Sequence, residues 1–212
     1  MPIVSKERMQ EDVVTPRSTV AAAQVPDWVA AEMPPGYQTR LAEIERLAAE
    51  LREMDAIGRV LYQTGEPLHE GVRALFGALK CEGEPTPEAP WSLAVKLDGS
   101  RRLLVYVPGN GMPLQKASEA LTHAFQLVQV AGDRDRVVIV ANNDPEAPPA
   151  QRPDPVRPDA MQVLQRMGVN VATTGALVGL WRLSFSDPQR VRTLLDRLHA
   201  QDGGAFVASA RG

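Results

Sequence analysis

Between Arg136 and Asn142 the chain reads Val-Val-Ile-Val-Ala with no polar interruption, and this short run constrains the fold more than any other feature. Four of these side chains are β-branched and favour extended backbone, and the run is too short for a helix stripe. Successive side chains of a strand point to opposite faces. A strand that is apolar at every position therefore has to be covered on both. The rest of the chain must supply helices for two faces of a sheet, which is the demand of an α/β domain.

The flanking sequence meets that demand. Leu68, Val72, Leu75, Phe76 and Leu79 predict a helix over Leu68–Leu79, and Leu114, Ala117, Leu121, Phe125 and Val128 predict a long one over Pro113–Val130. Further helices are expected over Asp159–Met167 and Pro188–Ala200, the last capped by Asp187 with proline in its first turn, and a helical turn or helix over Gly175–Leu183. Strands are expected over Ser92–Leu97, Arg102–Val107 and Val169–Ala172, the first two joined as a hairpin at Asp98-Gly99-Ser100. Residues 82–90 and 144–158 are rich in proline and are read as connectors. The expected fold is a small mixed central sheet flanked by helices, with a hairpin first and parallel strands after it.

Ahead of this domain, which spans residues 63–203, stands a helical stalk over 36–62. A loosely ordered tail is expected over 1–35 and a second over 204–212. Within the stalk, Leu41, Ile44, Ala48 and Leu51 recur at 3-4-3 spacing while Glu43, Glu45, Arg46, Glu50, Arg52 and Glu53 occupy the other faces. Two heptads fit a short coiled coil before Asp55 and Gly58 end the pattern. The seam can cover the chain's own domain, or be covered by a protein partner or by a second copy of the chain.

Charge narrows the partners. A net charge of −3 and a pI of about 5.7 argue against a strongly basic nucleic-acid binder. No apolar run reaches the ~18 residues that a membrane helix needs, and residues 1–14 lack the apolar stretch of a secretory signal. The only cysteine, Cys81, excludes an intramolecular disulfide. It closes an apolar helical pattern with no base nearby in sequence, as an inert thiol does. The expected location is the cytoplasm.

Several phrases resemble the PD-(D/E)XK restriction-endonuclease-like superfamily, in particular its bacterial and archaeal members with a coiled-coil segment ahead of the nuclease-like fold. They are Trp28 followed by Pro34-Pro35-Gly36 and the charged helix, then Leu61-Tyr62-Gln63-Thr64-Gly65-Glu66-Pro67-Leu68, the hairpin, the helix after it, the Val137 strand and Val171-Ala172-Thr173-Thr174. The resemblance covers about residues 28–200. It implies an aspartate on the second core strand, a glutamate on the third with a lysine two residues on, and often a glutamate on the first core helix. Together these hold a divalent cation that lowers the pKa of water and neutralises phosphate charge. Matched here, the helix position falls at His69 or one place later at Glu70, the aspartate at Ser92, the glutamate at Tyr106 and the lysine at Pro108. Val105-Tyr106-Val107-Pro108-Gly109 stands where the family shows Val-Glu-Val-Lys-Gly. Serine, tyrosine and proline do not hold Mg²⁺, so the resemblance implies a dead site.

Substitutes are weak. Asp98 and Lys96 sit at the hairpin tip, and Asp98 before glycine is a turn residue. Asp133 and Asp135, interleaved with Arg134 and Arg136, read as a solvated charged turn. His69, His123 and His199 lack metal-ligand spacing. Gly109-Asn110-Gly111-Met112-Pro113 lacks the Lys-Ser/Thr of a phosphate loop. Thr173-Thr174-Gly175 reads as a helix N-cap. No metal and no cofactor are expected. The sequence points to a non-catalytic nuclease-like domain acting as an interaction or scaffolding module through the stalk. The alternative is a nucleic-acid or nucleotide binder with Arg101, Arg102, Arg152, Arg157 and Arg182 on phosphates.

Overall fold

A computed structural model describes residues 27–207, and it divides into two units at Arg46/Leu47. Most of the expected tail over 1–35 lies outside the described residues. Asp27–Glu32, read as tail, forms the short helix α1. A turn follows in which the Tyr37 amide donates to the Pro34 carbonyl at 3.1 Å. Gly36 adopts φ +89° there, a backbone that favours glycine. Helix α2 then runs over Tyr37–Gly58 and gives way to a 3-10 turn at Arg59–Leu61.

Within the unit Leu47–Gly212 the order continues with α3 (Gly65–Ala78), β1 (Glu82–Pro85), β2 (Ser92–Lys96), β3 (Arg102–Tyr106), α4 (Glu119–Val130), β4 (Asp135–Ala141), α5 (Pro158–Arg166), β5 (Asn170–Thr173), α6 (Thr174–Ser184), α7 (Pro188–Ala200) and β6 (Gly204–Ala205). The fold is α/β, a mixed sheet with flanking helices. Among the described residues six strands form one sheet in chain order, β1-β2-β3-β4-β5-β6. The first three are an antiparallel meander, and β3 to β6 are parallel. The expected run at Val137 lies in β4, between β3 and β5, with Val138, Ile139 and Val140 wholly buried.

Alternation along the strands divides the core. Val138 and Val140 point with Leu93, Val95, Leu103 and Val105 toward α3, α6 and α7. Val137 and Ile139 point with Leu104 and Tyr106 toward α4 and α5. Burying each large aliphatic side chain contributes about 1.5–3 kcal/mol, so a strand apolar on both sides anchors both layers.

Five expectations need correction. The connector over 82–90 contains β1: as an edge strand it tolerates Pro85, and Glu82 and Glu84 lie 3.9 and 3.3 Å from Lys96 on β2. The long helix begins at Glu119, not Pro113. Leu114 is drawn into a parallel bridge with Val156, its amide donating to Pro155 at 2.8 Å and its carbonyl accepting from Arg157 at 2.9 Å. Phe125, expected on the buried face of that helix, is 52% exposed. Residues 204–205, read as tail, pair with β5, where the Phe206 amide reaches the Val171 carbonyl at 2.7 Å. Helix α3 also starts three residues before Leu68. No helix among the described residues is long and apolar enough to cross a membrane.

Candidate functional site

The register pairs Ser92 with Tyr106 across β2 and β3, so two of the positions matched to the nuclease site face each other. Ser92 is buried. Its hydroxyl donates to the Ala89 carbonyl and lies 2.5 Å from the Thr86 hydroxyl. Tyr106 is buried on the α4 side with its ring 5.0 Å from that of His123. Burial, helped by the charge of Glu119, pushes its hydroxyl up to about 12, so it stays a neutral phenol. His123 Nδ1 lies 3.0 Å from Gln126 Oε1, an acceptor, and the ring stands 3.4 Å from Glu119. Pro108 is buried and carries no ligand atom.

His69 stands on α3, which covers the opposite face. Its ring lies edge-on to Trp91 at 5.4 Å, and its Nε2 is buried with no hydrogen-bond partner. Burial, and then the charge of Arg73, lower its pKa. The matched positions thus separate: Ser92 and Tyr106 meet across the ladder toward α4, while His69 meets Trp91. Among the described residues no group of three or more His, Cys, Asp or Glu side chains could hold a metal ion.

Asp98 sits in the hairpin turn, where Oδ1 accepts from the amides of Ser100 and Arg101 at 3.3 and 3.1 Å. The Arg101 guanidinium, with these amides, holds its carboxyl down to about 2. Asp135 corrects another expectation, since it is buried and not solvated. It accepts a two-pronged contact from Arg102 at 2.9 and 2.7 Å.

Three of the five arginines expected on phosphate are engaged inside the fold. Arg101 binds Asp98 and, at 2.8 Å, Asp196. Arg102 binds Asp135. Arg152, from the proline-rich loop, donates to Asn142 Oδ1 at 2.6 Å, to the Ala147 carbonyl at 2.9 Å, to Thr174 Oγ1 at 3.3 Å and to the Leu61 carbonyl. Burial lowers its pKa against the opposing pull of Asp144. Arg157 and Arg182 are exposed.

The Arg152 cluster was not anticipated. Asn142 and Asn143 follow the apolar strand, Thr174 opens α6, and all three are buried at the carboxyl ends of β4 and β5. Asn142 also donates to the Gln63 carbonyl at 2.9 Å, and Asn143 to Pro153 at 2.8 Å. The available signal was a pair of asparagines directly after an all-apolar strand. Thr173 caps α6 as expected, its hydroxyl accepting from the Ala176 amide at 3.1 Å.

Among the described residues, helix α2 carries more exposed large apolar side chains than any other element. Of the expected seam, Leu41, Ile44 and Leu51 are 39, 62 and 61% exposed and Ala48 is half-buried. Leu47 and Met54, outside that seam, are also exposed, whereas Ile57 is buried in the domain core. Met54 and Ile57 border an open groove of about 580 Å³ completed by Ala78, Trp181, Phe185 and Val191.

No family model, curated protein or solved structure matches the chain.

Proposed function

We propose that the chain is a catalytically inactive nuclease-like domain that serves as a protein-interaction module and docks through α2. The observation that carries this reading is the row of exposed apolar side chains on that helix, Ile44 and Leu51 foremost. Covering such a surface stabilises the covered state, since apolar area leaving water contributes about 25 cal/mol per Å².

The nuclease-like ancestry draws support from β1. It makes the strand of Ser92 the second of the meander and the strand of Tyr106 the third, the numbering that the resemblance requires. The loss of catalysis rests on Ser92, Tyr106 and Pro108, none of which offers a carboxylate or an amine. The internal pairing of Arg101, Arg102 and Arg152 weighs against a phosphate-binding groove.

The test is a charged face. The variant Ile44→Glu with Leu51→Glu loses self-association, or capture of its partner, in light scattering, while its thermal melt stays cooperative. Loss of the melt would mean that α2 belongs to the core, and the reading would fail.

A further inference from the structure

The groove beside α2 says what kind of body covers that helix. Its floor is aromatic: Trp181 and Phe185 form an edge-to-face pair with centroids 5.4 Å apart, and Phe185 is 68% exposed. One wall is α2, bearing Met54 and Ile57 with Glu50 and Glu53 beside them. The other wall is the end of α3 and the start of α7, with Lys80 at its lip. A second depression of about 370 Å³ continues along α7 and shares Leu79, Lys80, Pro188 and Val191, adding Arg192 and Asp196, the latter already paired with Arg101 at 2.8 Å. Within the groove itself the acids therefore stand on the helix and the base, Lys80, on the far wall.

Next to this hollow, and on the same unit, stands a ridge. Leu47, Leu51 and Met54 follow one another at 4-3 spacing on α2, all exposed, and Met54 belongs to both ridge and groove. Ridge and hollow thus lie side by side on one continuous surface. A two-fold axis between two such surfaces sets each ridge into the other's hollow, because an isologous contact needs a patch complementary to itself. The same rotation would bring Glu53 of each copy to Lys80 of the other. A partner helix with basic flanks would satisfy the acidic wall but would repel Lys80.

We propose that the trough formed by α2, Lys80 and the α6–α7 corner is a two-fold dimer interface that receives the α2 ridge of a second copy. This rests on the reading of α2 as the docking helix. Tyrosine and tryptophan anchors dominate such contacts, and Trp181 with Phe185 fills that role at the centre of the patch.

The experiment measures the mass of the full chain by sedimentation across a concentration series, alongside thermal melts. The wild type is expected to dimerise. Phe185→Glu should give a monomer with an unchanged melt, since that side chain is already in water. Glu53→Lys and Lys80→Glu each place like charges together twice in a homodimer, and each should weaken dimerisation on the order of tenfold. An equimolar mixture of those two variants should dimerise like the wild type, because each interface then holds opposite charges at both contacts. A wild type that stays monomeric overturns the proposal, while α2 docking on another protein survives. A dimer broken by Leu51→Glu but indifferent to Phe185→Glu and to both charge reversals also overturns it, again leaving the α2 reading in place. Failure of the mixture to recover would remove the two-fold pairing of Glu53 with Lys80, and with it this interface.

Discussion

Arg102 and Asp135 stand directly opposite each other across the parallel pair β3 and β4, joined by two hydrogen bonds of 2.9 and 2.7 Å. Asp135 also accepts the Gly132 amide at 2.9 Å, so its carboxylate closes the loop that leads into the central strand. Burial pushes this carboxyl up, and the hydrogen bonds from Arg102 and Gly132 outweigh it and hold it below its ordinary value. A depressed folded pKa contributes stability that is present above the unfolded value of about 4 and is lost as pH falls through the folded value. Asp135→Asn should therefore cost about 2 kcal/mol at pH 7, a drop of roughly 4–8 °C in Tm. The gap to wild type should narrow below about pH 4. Melts of both proteins at pH 7 and pH 3 check this, and an equal gap at both would exclude an ionised Asp135.

Ile139 is wholly buried at the centre of β4. Ile139→Asp puts a lone carboxylate there at a cost of several kcal/mol, comparable with the ~5–15 kcal/mol that holds a domain together. We expect no cooperatively melting protein, whereas Ile139→Val should lose about 1 kcal/mol and keep its fold. Soluble yield and circular dichroism melts distinguish the two.

Gly71 on α3 lets the 3-10 turn pack closely. A β-carbon there would lie 2.7 Å from Val60 Cγ2 and 3.0 Å from the Ala56 carbonyl. Gly71→Ala should destabilise by about 1–3 kcal/mol despite the better helix propensity of alanine. Pairing it with Val60→Ala, which vacates part of the space, should recover some of the clash in a double-mutant cycle. Strictly additive losses would place the strain elsewhere.

On α2 the prediction turns on exposure. Leu41→Glu with Ile44→Glu should abolish association while leaving Tm within about 2 °C, as exposed substitutions away from packed features usually stay within ±0.5 kcal/mol. Ile57→Glu, thirteen residues further on and 3% exposed, should instead abolish the cooperative melt. Light scattering and melts on both variants would reveal a reversal of this order.

The purified chain should not cleave DNA or RNA with Mg²⁺ or Mn²⁺. Cleavage that follows the protein through purification and disappears in the Tyr106→Ala, Asp98→Ala double variant would show a relocated site.

The elements that periodicity could see were those whose partners are local or whose pattern is strong. Val137 to Ala141 could be read as a central strand because covering two faces leaves no alternative. The caps at Asp187 and Thr173 followed from side chains bonding three residues on. Strand β1 was hidden because Glu-Gly-Glu-Pro has no apolar alternation, and its stability comes from β2 and from Lys96. The false start of α4 has a similar origin. Leu114 fits the helical stripe, yet the carbonyl of Pro155, forty-one residues later, captures its amide. Of the site, the exposed face of α2 was legible from its charges. Arg152 was read as a phosphate contact, since nothing local shows that Asn142, Thr174 and Leu61 converge on it.

That convergence has a mechanical consequence. A helix that grips another body must pass tension to the domain behind it, and the chain leaves α2 through Arg59 to Gln63. The Leu61 carbonyl is held by Arg152 and the Gln63 carbonyl by Asn142, while Val60 is wedged against Gly71. If α2 docks as proposed, load entering along the backbone is shared among the end of β4, the first turn of α6 and the flank of α3.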